Sequence, residues 1–296
     1  MRDRGYLVGL IGSGIGPSLS PPLHQAEAAA LGLDYRYDRW DLDELDRAPE
    51  AVPHLLESGR RAGYHGFNIT HPCKQLVIPH LDELSPQAQA LQAVNTVVFD
   101  GDAATGHNTD WSGFARGLDL GLPGAPLDRV VLLGAGGAGT AVAYALLTLG
   151  AGEIAVFDAA PERAELLVGP LRESFGRDRL RSCGANDLAR TLRDADGLVH
   201  ATPTGMAAHP GVPLPVELLR TELWVADVVY RPLETALLSA ARARGCRCLD
   251  GGPMAVFQAA EAFHLFTGVE PDNDRMLRHF DALARNSPEG QVHVRQ

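Results

Sequence analysis

Three observations predict an α/β fold in two domains. The chain has 296 residues, more than most single domains hold. Short apolar runs alternate with helical stretches along most of its length, as layered α/β proteins require. In mid-chain, Arg129-Val130-Val131-Leu132-Leu133 runs into Gly134-Ala135-Gly136-Gly137-Ala138-Gly139, so more than a hundred preceding residues must form a fold of their own. The domains are placed at 1–116, completed by 252–296, and at 117–251.

The elements follow in order. Tyr6 to Ile11 reads as a strand ending in the turn Gly12 to Gly16, and Pro21 to Leu31 as a helix stopped by Gly32. Tyr35 to Trp40 is a second strand, and Asp43 to Ser58 a helix interrupted near Pro49 and Pro53. Further strands are expected at Gly66–Ile69 and Thr96–Phe99. The glycines and prolines of Gly117 to Pro126 read as an inter-domain junction. Strands at Val130, Ile154, Leu198 and Trp224 then alternate with helices, the pattern of a doubly wound parallel sheet. After Leu249 two helices, Met254 to Thr267 and Asp274 to Ala284, are expected to return to the first domain. Asn286 to Gln296 reads as a frayed tail.

Composition excludes several classes. The formal net charge is −11, with no long Lys or Arg run, which argues against nucleic acid and anionic membranes as partners. Cys73, Cys183, Cys246 and Cys248 form no CxxC pair and no ligand set, so reduced thiols and no metal are expected. Neither an apolar leader nor a run of about 18 apolar residues occurs, and a cytoplasmic protein is expected.

The glycine-rich turn carries the first chemistry. Gly134 lets the strand turn tightly, Gly136 lets backbone N–H groups approach a pyrophosphate, and Gly139 lets the helix lie close on the sheet. The phosphates then sit near Gly137 and Ala138, at the positive end of the helix. The next strand, Glu153 to Asp158, ends on an acid roughly 20 residues from the last glycine, where a carboxylate accepts ribose hydroxyls. A bare structural turn is the alternative.

Polar residues gather where other strands end. In Pro17-Ser18-Leu19-Ser20-Pro21 two hydroxyls precede a helix and suit a carboxylate ligand, or one of them caps the helix. In Asn68-Ile69-Thr70-His71-Pro72-Cys73-Lys74 the lysine follows a proline-led helix start, where it exchanges a proton near neutral pH or is a solvated surface charge. Ala93-Val94-Asn95-Thr96 and Gly106-His107-Asn108-Thr109-Asp110 put two Asn-Thr pairs beside a strand pair. Asp110 could hold Lys74 charged and oriented, or cap the helix starting at Trp111. His107 has no visible orienting partner and reads as structural.

These stretches, together with Ala201-Thr202-Pro203-Thr204-Gly205-Met206, Asp227-Val228-Val229-Tyr230-Arg231-Pro232 and Gln258-Ala259, occur in the order seen in shikimate dehydrogenases. The resemblance spans about Gly9 to Gly268. It implies a discontinuous substrate domain, a nicotinamide domain and reversible oxidation of a ring hydroxyl of shikimate or quinate. It also implies residue roles. Ser18 and Ser20 bind the substrate carboxylate with help from Tyr230. Thr70, Asn95, Asp110 and Gln258 bind ring hydroxyls, and Lys74 with Asp110 forms the catalytic pair. Gly137 and Ala138 meet the pyrophosphate, and Thr202, Thr204, Val228 and Gly251 line the adenine and nicotinamide sites.

Departures from the usual family pattern sharpen the expectation. Relatives that use NADP carry an Asn-Arg-Thr type of segment after the second strand, whereas Phe157-Asp158-Ala159-Ala160-Pro161-Glu162-Arg163 stands here. Asp158 repels a 2′-phosphate and accepts free hydroxyls, so NAD is expected, with Arg163 neighbouring the ribose. His24-Gln25 and Leu91-Gln92-Ala93 likewise resemble the NAD-dependent quinate/shikimate dehydrogenases. Those enzymes commonly have threonine where Ser20 stands, and the serine favours shikimate. An NADP-dependent biosynthetic enzyme and a non-catalytic shikimate or quinate sensor are the rival readings, and a homodimer is left open.

Overall fold

Two six-stranded sheets organise residues 5–286, which this computed structural model describes. The chain divides into two units. One takes the chain up to Thr109 together with Gln258–Leu283, and the other takes Asp110–Phe257 and the chain from Ala284 on.

The first unit runs β1 (Tyr6–Gly12), α1 (Ser20–Ala30), β2 (Tyr35–Asp41), α2 (Val52–Arg61), β3 (Gly66–Ile69), β4 (Glu83–Leu84), α3 (Pro86–Leu91), β5 (Thr96–Asp100) and β6 (Ala103–His107). The sheet order is β2-β1-β3-β5-β6-β4. β1 pairs parallel with β2 and β3, whereas β5 is antiparallel to β3 and β6. Successive side chains of a strand point to opposite faces, and both faces are covered. Ile11 joins Leu56, Phe67 and Val97 on one, and Leu10 joins Val8, Ala262 and Phe266 on the other. The helix expected from Asp43 starts only at Val52, with Pro53 in its first turn. Proline is tolerated there because the first N–H groups of a helix have no partner anyway.

On α1 the residues Leu23, His24, Glu27 and Ala28 form the buried face, at helical spacing. His24 lies among the rings of Tyr35, Tyr37, Phe263 and Phe266, with Nδ1 2.9 Å from the Tyr35 hydroxyl. Burial pushes its pKa down from 6.5 to about 3. Below pH 6.5 the unfolded chain therefore takes up a proton that the native state refuses, and stability falls as pH falls towards 3. Wild type is expected to lose roughly 2 kcal/mol between pH 6.5 and 5 that His24→Phe keeps, at about 1.4 kcal/mol per pH unit. Urea unfolding at the two pH values checks this, and equal losses in both proteins would clear His24 of the effect.

The second unit runs α4 (Asp110–Gly121), β7 (Arg129–Leu133), α5 (Gly137–Thr148), β8 (Glu153–Phe157), α6 (Pro161–Phe175), β9 (Leu180–Ser182), α7 (Ala185–Arg193), β10 (Gly197–His200), β11 (Trp224–Asp227), α8 (Ala236–Ala243) and β12 (Cys248–Leu249). All pairings are parallel, in the order β12-β11-β10-β7-β8-β9. Val130 and Leu132 enter one apolar cluster while Val131 and Leu133 enter the other. A parallel sheet covered on both faces needs such unbroken apolar strands. Two helices follow, α9 (Gly252–Thr267) and α10 (Asn273–Asn286). From Gln258 on, α9 belongs to the first unit, where Ala262 and Phe266 cover the sheet.

By contacts the units divide at the start of α4 and within α9, whereas the sequence reading places the bounds at 116/117 and 251/252. Residues 117–126 also differ from a loose junction. α4 continues to Gly121, and Leu118 and Leu122 are buried in the core of the second unit. Gly121 packs against the end of the Leu249 side chain, where a Cβ would lie 2.4 Å from Cδ1. Asn286 ends α10, and the rest of the expected frayed tail, 287–296, lies outside the described residues.

Candidate active site

In the first unit a buried polar network surrounds Asn95. The antiparallel pairing of β5 and β6 sets Thr96 opposite His107, which brings Asn95 beside Asn108 and Thr109. Asn95 Oδ1 accepts the Thr109 N–H at 2.8 Å and the Thr96 hydroxyl at 3.1 Å, and its Nδ2 donates to Thr109 Oγ1 at 2.9 Å. Thr109 Oγ1 donates to the Gln258 carbonyl at 3.0 Å. On the other side, Asn68 Nδ2 donates to Thr96 Oγ1 at 3.0 Å, and Tyr37 donates to Asn68 Oδ1 at 2.7 Å. A chain of satisfied buried groups fixes which way each amide faces. Asn95 and Gln258 are thus joined through Thr109.

Lys74 is half-buried, and its carbonyl accepts the N–H of Val94 at 2.9 Å, next to Asn95. It lies in a run of turns, 71–77, rather than in a helix. One α-type bond forms there, Val77 N–H to the Cys73 carbonyl at 3.0 Å, and Pro79, without the N–H that would go to the Gln75 carbonyl, opposes extension of a helix past it. Thr70 follows β3, its N–H bonded to the Ile11 carbonyl at 2.9 Å. His107 is half-buried, which lowers its pKa, and its carbonyl serves the N–H of Asn95 at 3.0 Å. Lys74 falls in the first unit, and Asp110, the first residue of α4, in the second. A carboxylate in the first turn complements the positive end of a helix.

Ser18 sits on the loop between β1 and α1, and Ser20 is the first residue of α1. Ser18 Oγ accepts the Ser20 N–H at 3.3 Å, and the N-cap position is Leu19, which offers no side-chain cap. Asp41, at the end of β2, accepts the N–H groups of Gly14 at 3.0 Å and Ile15 at 2.7 Å and so fixes this loop. Arg39 donates to the Gly16 carbonyl, bringing a guanidinium to the loop.

The second unit repeats the device. Asp158 follows β8 and accepts the N–H of Ala135 at 2.8 Å and of Ala160 at 2.9 Å, pinning the glycine-rich turn after β7. Gly134 has φ +102°, and a Cβ on it would lie 2.6 Å from the Ala201 carbonyl oxygen. A Cβ on Gly139 would lie 2.0 Å from the Gly134 carbonyl oxygen, so the start of α5 lies directly on the strand end. Gly136 and Gly137, by contrast, are exposed and face open space. Backbone N–H groups at an uncovered helix start fit a pyrophosphate. The turn also lies where the strand order reverses, between β7 and β10, the usual crevice for ligands in open α/β sheets.

Thr202 and Thr204 follow β10, Val228 and Tyr230 follow β11, and Gly251 follows β12. The Val228 N–H bonds the His200 carbonyl at 2.9 Å. Gly251 packs on Val228, where a Cβ would lie 2.4 Å from its carbonyl oxygen. These loops and the glycine turn share the C-terminal side of one parallel sheet. Arg163 is exposed near the start of α6. Sequence reasoning missed Asp41, although the signal that found Asp158, an acid closing the second strand, is present there too. It also missed His200, an imidazole buried at a strand end. Among the described residues no group of His, Cys, Asp and Glu could hold a metal ion, and no helix is long and apolar enough to cross a membrane.

Comparison with known proteins agrees with this arrangement. Residues 10–97 match the family described as the shikimate dehydrogenase substrate binding domain. The shikimate dehydrogenase (NADP(+)) of Streptomyces avermitilis is 63% identical over 96% of this chain and 98% of its own. The quinate/shikimate dehydrogenase (NAD(+)) of Corynebacterium efficiens is 49% identical over 96% of this chain and 100% of its own. Among solved structures, quinate dehydrogenase from Corynebacterium glutamicum in complex with NAD superposes with a TM-score of 0.89 at 48% identity, covering 94% of this chain and 99% of that one. With the mixed sheet, the parallel sheet and the open glycine turn, this similarity over the whole chain makes the protein an oxidoreductase acting on shikimate-like substrates, a member of the shikimate dehydrogenase family.

Proposed function

We propose that the chain is an NAD-preferring dehydrogenase that interconverts shikimate and 3-dehydroshikimate. The observation that carries the cofactor choice is the carboxylate of Asp158, held beside the glycine turn by two backbone N–H groups. A fixed negative charge there opposes a 2′-phosphate and leaves lone pairs for ribose hydroxyls. Whole-chain similarity does not rank the two nucleotides, because the 63% identical relative is named for NADP and the 49% identical one for NAD.

The bound nicotinamide supplies hydride acceptance, and the protein supplies position and charge. Ser18 and Ser20 hold the substrate carboxylate, with Tyr230 assisting. Thr70, Asn95 and Gln258 hold ring hydroxyls, the Asn95 amide being set by its network. As hydride leaves the ring carbon, Lys74 Nζ takes the hydroxyl proton, and Asp110 is the carboxylate that the family resemblance pairs with it. Gly134, Gly136, Gly137 and Ala138 receive the pyrophosphate, with Thr202, Thr204, Val228 and Gly251 around the remainder. Ser20 stands where the NAD-dependent quinate/shikimate dehydrogenases commonly have threonine, and on that departure the reading favours shikimate over quinate.

Steady-state kinetics with both nucleotides and both substrates test this reading. NAD is expected to exceed NADP in kcat/KM by about tenfold or more, the size of one like-charge repulsion near a surface. Asp158→Asn keeps an acceptor for the turn and should narrow the ratio. A wild type that favours NADP overturns the cofactor assignment, and one that favours quinate overturns the substrate assignment.

A further inference from the structure

His200 closes β10 and Asp227 closes β11, opposite each other in register, and neither side chain is exposed. Burying an imidazole beside a carboxylate is costly unless their hydrogen-bonding groups find partners, and here they do. Nδ1 lies 2.9 Å from Asp227 Oδ1. A carboxylate only accepts, so Nδ1 carries the proton and donates it. Nε2 lies 2.5 Å from Thr202 Oγ1, within hydrogen-bond distance. Thr202 Oγ1 takes the Thr204 N–H at 3.2 Å. Asp227 also accepts the Val229 N–H at 3.0 Å and the Thr235 hydroxyl at 2.7 Å.

One buried pair thus ties together the loops after β10 and β11. Thr202 is gripped from two sides, because its hydroxyl points to His200 while its methyl carbon would lie 2.9 Å from a Cβ placed on Gly134. We propose that His200 and Asp227 are positioning residues for the nicotinamide dinucleotide. They act through Thr202, Thr204 and Val229, fixing the wall beside the glycine turn without reaching the ligand themselves. The inference rests on the cofactor reading of those loops given above.

Direct titration of the intact protein with NADH and with NADPH, followed by nucleotide fluorescence, tests it. His200→Asn keeps a partner for Asp227 but is too short for Thr202, and Thr202→Val removes the hydroxyl itself. Each variant is expected to raise the Kd of the preferred nucleotide by about tenfold, the value of one lost hydrogen bond. The double variant should be no weaker than the singles, since both break the same link. His200→Gln, whose amide reaches the Nε2 position, should recover part of the loss. In His200→Asn the KM for shikimate should stay unchanged. An unchanged nucleotide Kd in folded His200→Asn, additive losses in the double variant, or a shift confined to shikimate KM overturns the proposal. If His200→Asn fails to fold, an unchanged Kd in Thr202→Val does so. Wild type that binds neither nucleotide overturns both this proposal and the functional reading beneath it.

Discussion

Lys74→Ala is expected to lower kcat for shikimate oxidation by about 10²–10⁴-fold, with a far smaller change in KM. Removing hydride from a carbinol carbon leaves a proton on oxygen that must depart with it, and an amine at the end of a flexible chain can take it. The substitution should spare the fold. Lys74 supports the structure through its carbonyl, which receives the Val94 N–H, and alanine keeps that bond. Lys74→Arg separates proton transfer from simple charge, because a guanidinium stays protonated at any working pH. It should be nearly as slow as the alanine variant. Wild-type rates in the alanine variant would exclude proton transfer by Lys74. Good activity in the arginine variant alone would leave the lysine only an electrostatic part.

Much of this architecture was legible in the residues. The apolar run before Gly134 and the acid at Asp158 announce a parallel sheet, and Met254 to Thr267 reads as a helix that goes back to the first sheet. What stayed hidden depends on contacts between distant residues. β4 and β12 have two residues each, too few to show a period, and β6 reads Ala-Ala-Thr-Gly-His, with little apolar signal. Gly117 and Gly121 read as linker because composition does not distinguish a flexible glycine from one pressed against Met254 or Leu249. At the site, His200 meets Asp227 only through the register of two strands separated in sequence. Asp158 shows a further limit. Its position at the strand end is plain from the sequence, but its use as an anchor for Ala135 emerges only in three dimensions.

The second large effect is on stability. Arg275→Ala is expected to destabilise the protein by about 3–5 kcal/mol, because it leaves a buried carboxylate without its counter-charge. Glu27 has no exposed side-chain surface, and it accepts Arg275 Nε at 2.8 Å, Arg275 Nη2 at 2.6 Å and the Asp272 N–H at 2.7 Å. The bidentate contact joins α1 to α10, the last element of the returning segment. α1 carries Ser20 at its first position, so the same contact anchors the helix that presents a proposed carboxylate ligand. A loss of that size should lower Tm by on the order of 10 °C for a protein of this length. Removing one partner and removing both are different experiments. Glu27→Leu combined with Arg275→Met takes the charges out together, and it should regain most of the loss, because desolvation offsets much of what a buried pair contributes. Calorimetry on the two proteins decides. If the double variant is as unstable as Arg275→Ala, the pair's hydrogen-bond geometry rather than the stranded charge sustains the α1–α10 contact. If Arg275→Ala melts within a few degrees of wild type, the Glu27 carboxylate has found other partners.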